Sequence, residues 1–267
     1  MIRQLSKTVF LGIIAFFLIS GCQYQKSPIN PIVVSNIETE FNIRMFEQLG
    51  ANNRLFVLHL SSVKLADCLN GGINYSLTNT ADSGYNLTIK KTIDPGNCIE
   101  GIGPYQADVY IGRLENGTYN ISINLQDVVE NPGFLVVDDN QYELQLNSSH
   151  GLSVSDVVLH KIPNAFVWGY VAMGNLSDKT AAEEFISTLS SRGYALELKE
   201  GDYGHFYVLS SGQLIRLDTQ LENPSVVLPI AFGYTGDWTD LTDEVEAFRQ
   251  SHPNIDVRLF NNKGFVY

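Results

Sequence analysis

The stretch Phe166-Val-Trp-Gly-Tyr-Val-Ala-Met173 separates two parts of the chain that have different hydrophobic patterns. It predicts a β-strand, in which successive side chains point to opposite faces. The aromatic residues Phe166, Trp168 and Tyr170 share one face, and aliphatic residues share the other. One of these faces must receive the helices predicted after it, so this strand sets the fold of the C-terminal part.

The residues that follow this strand predict two helices and further strands. Ser177 and Thr239 can cap the helices, in which apolar residues recur every three or four positions, and Gly193 and Pro253 end them. Strands are predicted in four segments: 194–199, 205–209, 226–234 and 255–260. The strand-helix-strand-strand pattern occurs twice, which predicts an α+β domain of the ferredoxin-like type over residues 164–267.

The residues before Phe166 show a different pattern, in which apolar and polar residues alternate from about residue 33 onward. Turn signals such as Leu69-Asn-Gly-Gly72 and Glu115-Asn-Gly117 separate the alternating segments. This pattern predicts about seven short antiparallel strands. Strands of that number pack as two sheets, so the predicted architecture of residues 33–163 is a β-sandwich.

One segment of this region resembles a known strand entry. Leu114-Glu-Asn-Gly-Thr-Tyr-Asn-Ile-Ser-Ile123 is similar to the LxxGxYxIxI pattern of immunoglobulin-like and fibronectin-like modules. In those modules the tyrosine ring is buried and its hydroxyl bonds to backbone, which implies a structural role for Tyr119. The predicted fold class is therefore multidomain: an all-β immunoglobulin-like sandwich followed by an α+β, ferredoxin-like domain.

The N-terminus predicts export. A short basic segment precedes an apolar run that is shorter than the roughly 20 residues of a membrane-spanning helix, and small residues follow it. This is the pattern of a secretory signal peptide, predicted at 1–21. The ending Ile19-Ser-Gly-Cys22 resembles the bacterial lipobox, which implies a lipid on Cys22 and a lipidated tether at 22–32. The alternative is an ordinary cleaved signal with a cysteine nearby.

The charge of the chain excludes some partners. The formal net charge is −12, and removal of residues 1–21 takes it to −14 because Arg3 and Lys7 are lost. An acidic protein is repelled by nucleic acid and by anionic lipid, so no nucleic-acid partner is expected. The lipid on Cys22 is predicted to hold the protein at a membrane. Because Gln23 follows the cysteine, we expect the outer membrane, on its periplasmic or surface face, in a cell with two membranes.

Two further cysteines, Cys68 and Cys98, remain. An even number of cysteines in an oxidising compartment predicts a disulfide. Closing a loop of about 30 residues stabilises a fold by roughly 3.5 kcal/mol on the chain-entropy account. A metal or redox role would need partners at close spacing, and the chain has no CxxC motif.

The sequence carries no HExxH, GxSxG or phosphate-loop motif, and its histidines lack ligand spacing. No catalytic residue, metal site or cofactor is therefore predicted. The carboxylates Asp237, Asp240, Asp243 and Glu244 gather at the start of the second predicted helix, where negative charge offsets the helix dipole. The alternative is a cation site or a general acid and base pair within this cluster.

The aromatic residues around the 166–173 strand form the predicted binding site. If the aliphatic face of this strand receives the helices, its aromatic face is open and can be joined by side chains of a neighbouring strand. Flat aromatic surfaces suit sugar rings or peptides. The candidate ligand-binding residues, termed the aromatic stripe, are Phe166, Trp168, Tyr170, His205 and Tyr207. Alternatively, this face packs on the sandwich domain. Trp238 either staples the second helix or flanks the same face.

Part of the C-terminal region resembles a known family, the sporulation-related repeat (SPOR) domain. The residues that carry the resemblance are 170–178, 181–183, Leu189, 192–194 and 206–208. The resemblance implies a ferredoxin-like sheet whose open face binds peptidoglycan glycan strands. Outer-membrane lipoproteins are among the carriers of this domain.

The sequence thus predicts a non-catalytic cell-envelope lipoprotein that binds a glycan, with peptidoglycan as the candidate, or an envelope protein. One alternative is a structural or assembly subunit of a surface or secretion apparatus. Another is an exported hydrolase that uses the carboxylates from Asp237 to Glu244.

Overall fold

The structure, a computed structural model, describes four segments of the chain: 37–80, 84–126, 128–216 and 226–267. Residues from Ile37 to Tyr267 belong to one compact unit. The predicted signal peptide at 1–21, the lipidation site Cys22 and the tether at 22–32 lie outside the described residues.

The described residues form mainly β-strands. In chain order the strands are β1 (Phe41–Leu49), β2 (Arg54–Cys68), β3 (Gly72–Thr80), β4 (Gly84–Ile93), β5 (Glu100–Gly112), β6 (Gly117–Leu125), β7 (Pro132–Val137), β8 (Gln141–Leu146), β9 (Leu152–Val154), β10 (Val158–His160), β11 (Phe166–Met173), β12 (Gly201–Asp202), β13 (Phe206–Val208), β14 (Leu214–Arg216), β15 (Val226–Gly233) and β16 (Ile255–Asn261). The helices are α1 (Lys179–Ser191) and α2 (Trp238–Ser251).

Thirteen of these strands form one mixed sheet in the order β14-β13-β12-β10-β8-β7-β6-β4-β3-β5-β2-β1-β9. Most neighbours are antiparallel, but β1 and β9, β3 and β5, β4 and β6, and β10 and β12 run parallel. The long hairpin of β1 and β2 pairs from Phe41↔Ser62 to Leu49↔Arg54.

The large sheet encloses its own core. Along β1, burial alternates with Phe41, Ile43 and Met45 inward, as period two requires. Phe56 of β2 packs on Tyr142 of β8 with ring centroids 4.7 Å apart, although these strands are far apart in the sheet order. The sheet therefore curls back so that its two halves share one cluster of buried side chains.

The other three strands form a small antiparallel sheet in the order β15-β11-β16. All eight residues of β11 are buried. Its aliphatic face packs on α1 and α2. Its aromatic face packs on Tyr203, Phe206, Val208 and Leu214, which lie in or beside the β12–β14 segment of the large sheet. The strand is thus covered on both sides.

The predicted fold class, an all-β immunoglobulin-like sandwich followed by an α+β ferredoxin-like domain, is wrong. The described chain is mostly β, with a 13-stranded mixed sheet, a 3-stranded sheet and two α-helices. The strand-helix-strand-strand repeat fails because residues 201–216 pair with β10, through Leu159↔Asp202, and not with β11. Of the predicted strand at 194–199, one bridge forms, between Tyr194 and Gly233. An alternating pattern predicts a strand but not its partner.

Two local predictions agree with the structure, and the predicted cap of the second helix, Thr239, is wrong. Strand β11 spans the predicted residues, and the Tyr119 hydroxyl donates to the backbone oxygen of Glu115 (2.9 Å). Helix α2 is capped by Asp237, whose carboxylate accepts from the amide of Thr239 (3.0 Å), so the cap lies two residues before the predicted one.

The predicted disulfide between Cys68 and Cys98 is present. Its Cα atoms are 5.3 Å apart, within the usual range for such a bond. It links the end of β2 to the residues just before β5, where these paired strands lose their regular register. The disulfide therefore holds the end of β2 against the start of β5, the two longest paired strands described.

Candidate functional site

Three of the five residues of the aromatic stripe are buried in the structure. The side chains of Phe166, Trp168 and Tyr170 are between 1% and 2% exposed. Trp168 stacks on Phe260, with ring centroids 5.9 Å apart, and packs against Phe206 at 5.5 Å. These three residues are thus internal packing, which is the second alternative drawn from the sequence, and their rings offer no open surface to a ligand.

The two remaining residues of the stripe contact neighbouring strands of the large sheet, His205 on β1 and Tyr207 on β12. The His205 ring donates from Nε2 to the backbone oxygen of Glu47 (2.8 Å) and lies 5.9 Å from the Trp168 ring. Tyr207 is half-buried and pairs with Asp202 of β12. The His205 ring therefore bonds to a backbone oxygen of β1 that would otherwise be exposed at the edge of that strand.

Two clefts open beside the small sheet. The first, termed the aromatic cleft, has a volume of about 420 Å³. Its lining includes three aromatic residues and three asparagines: Tyr234, Trp238, Phe265, Asn164, Asn261 and Asn262.

The topology of the small sheet brings these residues together. Strands β15 and β16 both run antiparallel to β11, so their C-terminal ends lie beside the start of β11. The chain leaves β15 through Tyr234 and enters α2 at Trp238. It leaves β16 through a turn that brings Val266 back to Phe260. Three loops far apart in sequence therefore meet at one edge.

Asn261 is the most buried polar residue of the aromatic cleft, at 7% exposed. Its side-chain oxygen accepts from the backbone amides of Lys263 (3.0 Å) and Phe265 (3.1 Å), which fixes the turn after β16. Among the residues that the structure describes, its Nδ2 group has no acceptor. A buried amide without a partner costs free energy, so this donor is suited to a ligand oxygen or a water molecule.

Ala165, which also lines the aromatic cleft, has a φ of 60°. A residue with a β-carbon seldom adopts this left-handed conformation. Its backbone oxygen accepts from the amide of Tyr234 (2.7 Å), which ties the start of β11 to the end of β15. Strained backbone of this kind concentrates at functional sites.

Tyr234 is oriented by the turn before α2. Its hydroxyl donates to the backbone oxygen of Asp237 (3.1 Å) and lies 3.5 Å from the Asp240 carboxylate. Burial, and then the charge of Asp240, raise the pKa of Tyr234 above its ordinary value. The ring is therefore neutral and held in one position on the cleft wall.

The second cleft, termed the polar cleft, has a volume of about 460 Å³. It shares Asn164, Asn262 and Lys263 with the aromatic cleft. Its other lining residues include three basic and two acidic ones: Arg54, Arg113, Lys161, Glu47 and Glu115.

Glu47 is buried at the base of the polar cleft, and both of its oxygens accept hydrogen bonds. Its Oε1 accepts from the Tyr142 hydroxyl (3.0 Å), and its Oε2 accepts from the amide of Ile162 (3.2 Å) and lies 3.6 Å from Arg54 Nη1. Burial, and then the Glu47 charge, raise the pKa of Tyr142 well above its ordinary value of 10.0. This network joins β1, β8 and the residues after β10.

We expect the Tyr142→Phe variant to lose less stability than the wild type between pH 10 and pH 11.5. In the folded state Tyr142 stays protonated above pH 10, whereas in the unfolded state it ionises, so its contribution is lost as the pH rises toward the raised pKa. The difference in slope is at most about 1.4 kcal/mol per pH unit. Urea unfolding between pH 8 and pH 11.5 measures it.

The control for this measurement is Tyr110→Phe, which removes one hydroxyl from an exposed ring. Parallel slopes for the wild type and Tyr142→Phe would contradict the assignment of the raised pKa to the Glu47 network.

Two of the carboxylates proposed for a hydrolase, Asp237 and Glu244, have structural partners. Hydrogen bonds from Thr239 lower the pKa of Asp237, as expected for a helix cap. Glu244 lies 2.5 Å from the Arg192 guanidinium. Within the described residues, no three His, Cys, Asp or Glu side chains come together as a metal site.

Hydrophobic periodicity does not identify Tyr234, Asn261 and Phe265 as site residues. They lie at or just beyond the ends of strands, where hydrophobic periodicity carries no signal. The one available signal was the placement of turn residues and aromatics just after β15 and β16, since both ends meet beside β11 in an antiparallel sheet. Trp238, for which the sequence predicts either a staple on the second helix or a place beside the aromatic face, packs in part against the core of the small sheet and lines the aromatic cleft.

Among the described residues, none of the helices has the length and apolar character needed to span a membrane. No protein family model, curated protein or solved structure matches this chain.

Proposed function

We propose that the protein is a non-catalytic cell-envelope lipoprotein that binds a glycan in the aromatic cleft. The observation that carries this proposal is the combination of three aromatic residues and three asparagines around one cleft. Sugar rings have apolar C–H faces that pack on aromatic rings, and hydroxyls that exchange hydrogen bonds with amides. The aromatic cleft supplies both kinds of contact.

The cleft is pre-organised for such a ligand. Phe265 is 46% exposed, yet its backbone is held by hydrogen bonds in both directions with Asn261. Trp238 is the first residue of α2 and packs in part against the core of the small sheet. Rings that are already in place lose little conformational entropy on binding.

The proposed location follows from the N-terminal sequence. A lipid on Cys22 would hold the protein at the outer membrane. Residues 22–32 would act as a flexible linker that lets the folded part contact a ligand at some distance from the membrane. Peptidoglycan is the glycan polymer that an anchored protein on the periplasmic face would meet, so it is the proposed ligand.

The non-catalytic part of the proposal is supported by the carboxylates of the polar cleft. Glu47 has all its hydrogen-bonding partners within the protein, and Glu115 pairs with Arg113 at 3.2 Å. A general base needs a free oxygen that can reach a substrate proton. Both Glu47 oxygens already accept hydrogen bonds from the protein, Oε1 from the Tyr142 hydroxyl and Oε2 from the Ile162 amide.

Phe265→Ala is expected to weaken binding to purified peptidoglycan about tenfold, which corresponds to about 1.4 kcal/mol. The variant removes an exposed ring from the cleft wall and keeps the backbone hydrogen bonds to Asn261. Co-sedimentation of the full-length protein with peptidoglycan, over a range of peptidoglycan concentrations, measures the affinity.

Phe134→Ala is the matched control, because Phe134 is similarly exposed, at 41%, but lies on β7 and lines neither cleft. It should bind like the wild type. A wild-type protein that stays in the supernatant, or a Phe265→Ala variant that pellets as well as Phe134→Ala, would falsify the proposed site.

A further inference from the structure

The aromatic cleft and the polar cleft adjoin, since Asn164, Asn262 and Lys263 line both. A glycan longer than one sugar ring that stacks in the aromatic cleft therefore extends across this shared border. Its next sugar lies in or over the polar cleft. The chemistry of the polar cleft thus selects among glycans.

The polar cleft is rich in positive charge, although the chain has a formal net charge of −12. Two of its four basic residues are neutralised by its two carboxylates. Arg54 Nη1 lies 3.6 Å from Glu47 Oε2, and Arg113 Nε lies 3.2 Å from Glu115 Oε1. The remaining two basic residues are lysines.

These lysines have no carboxylate partner among the described residues. The Lys161 ammonium donates to the backbone oxygen of Asp138 (2.5 Å) and lies 4.8 Å from the centre of the Tyr142 ring. These contacts hold the ammonium in place and leave its charge uncompensated. Lys263 is exposed and lies on the border between the two clefts.

The nearby carboxylates are engaged elsewhere. Asp138 accepts from the backbone amides of Asn140 (2.7 Å) and Gln141 (2.9 Å), and Asp139 accepts from Asn116 (2.5 Å). They belong to turns and do not line the polar cleft. The ammonium groups of Lys161 and Lys263 therefore remain available to a ligand anion.

We infer that the glycan is acidic, and that a carboxylate on the sugar next to the stacked ring binds Lys161 and Lys263. This inference rests on the proposed function and names its ligand class. Hydrogen bonds between ammonium and carboxylate groups are shorter and stronger than those between neutral groups. A neutral glycan would leave both charges unpaired.

Two soluble probes of equal length test the inference: a hyaluronan hexasaccharide, in which glucuronate alternates with N-acetylglucosamine, and a neutral chitin hexasaccharide. We expect the full-length protein in detergent to bind the acidic probe at least about tenfold more tightly at low ionic strength. Isothermal titration calorimetry measures both affinities. The preference should shrink as salt is added.

The double variant Lys161→Gln, Lys263→Gln should bind both probes within about threefold of each other, because its affinity for the acidic probe falls. Lys90→Gln, which removes an exposed lysine of β4 that lines neither cleft, should keep the wild-type preference. Circular dichroism establishes that the variants are folded.

The outcomes separate the two proposals. Equal affinity of the wild type for both probes, reduced by Phe265→Ala, would overturn the acidic-glycan inference and leave the proposed function standing. A preference that survives in the double variant would overturn the role of the lysines. If neither probe binds, the acidic-glycan inference fails, and co-sedimentation with peptidoglycan decides the proposed function separately.

Discussion

Trp168→Ala is expected to lower the free energy of unfolding by about 3–5 kcal/mol, the usual range for removing a buried tryptophan. The Trp168 side chain is 2% exposed and lies between Phe166, Phe206 and Phe260, with ring centroids 5.5 to 5.9 Å away. Its loss leaves a cavity where the small sheet meets the large one, and rigid aromatic neighbours fill such a cavity poorly. Urea unfolding followed by far-ultraviolet circular dichroism measures the change, because this signal does not depend on tryptophan fluorescence.

The same variant separates a packing role from a binding role. Trp168 lines neither cleft, so at urea concentrations where the variant is still folded, its affinity for peptidoglycan should equal that of the wild type. Phe134→Ala should change the unfolding free energy by about 0.5 kcal/mol or less, since exposed residues contribute little. A folded Trp168→Ala variant that unfolds at the wild-type urea concentration but no longer binds would restore the aromatic stripe as a ligand site.

The sequence predicts elements of this fold better than their arrangement. The strand at 166–173 follows from its alternation, and the strands at 226–233 and 255–261 lie within one residue of their predicted bounds. The partner of the 201–216 segment could not be predicted, because Phe206 and Val208 make a strand equally apolar beside β11 or beside β10. The pairing of distant strands depends on which apolar faces must be buried against one another. The residues that form those faces are spread over the whole chain.

The site was harder to predict than the fold, for a related reason. Aromatic rings occur both in cores and in binding sites, and the sequence does not distinguish Trp168, which is buried, from Trp238, which lines a cleft. Phe265 and Asn261 line the aromatic cleft because of the turn after β16. The position of this turn beside the start of β11 depends on the order of strands in the small sheet. A correct sheet order was therefore needed before the site could be recognised.

Glu47→Ala is expected to lower the free energy of unfolding by about 3 kcal/mol or more, because it removes one partner of a buried charged network. The Glu47 carboxylate is the acceptor for the Tyr142 hydroxyl and the Ile162 amide, and the counter-charge for Arg54. The Arg54 guanidinium keeps its hydrogen bond to the Ile162 backbone oxygen (2.5 Å), which limits the loss. Urea unfolding at pH 7 measures the change.

Two further variants show whether the Glu47 charge or its hydrogen bonds matter. Glu47→Gln keeps an oxygen for the Ile162 amide and an NH₂ group that can donate to the Tyr142 hydroxyl, so its loss should be about 1–2 kcal/mol, from the uncompensated Arg54 charge. Glu115→Ala, at a carboxylate that is 78% exposed, should change stability by about 0.5 kcal/mol or less. Equal losses for Glu47→Gln and Glu47→Ala would show that charge alone holds the network. Glu47 variants as stable as the wild type would contradict the structural role of this carboxylate. They would favour a catalytic role, because a residue kept for chemistry can be removed without unfolding the protein.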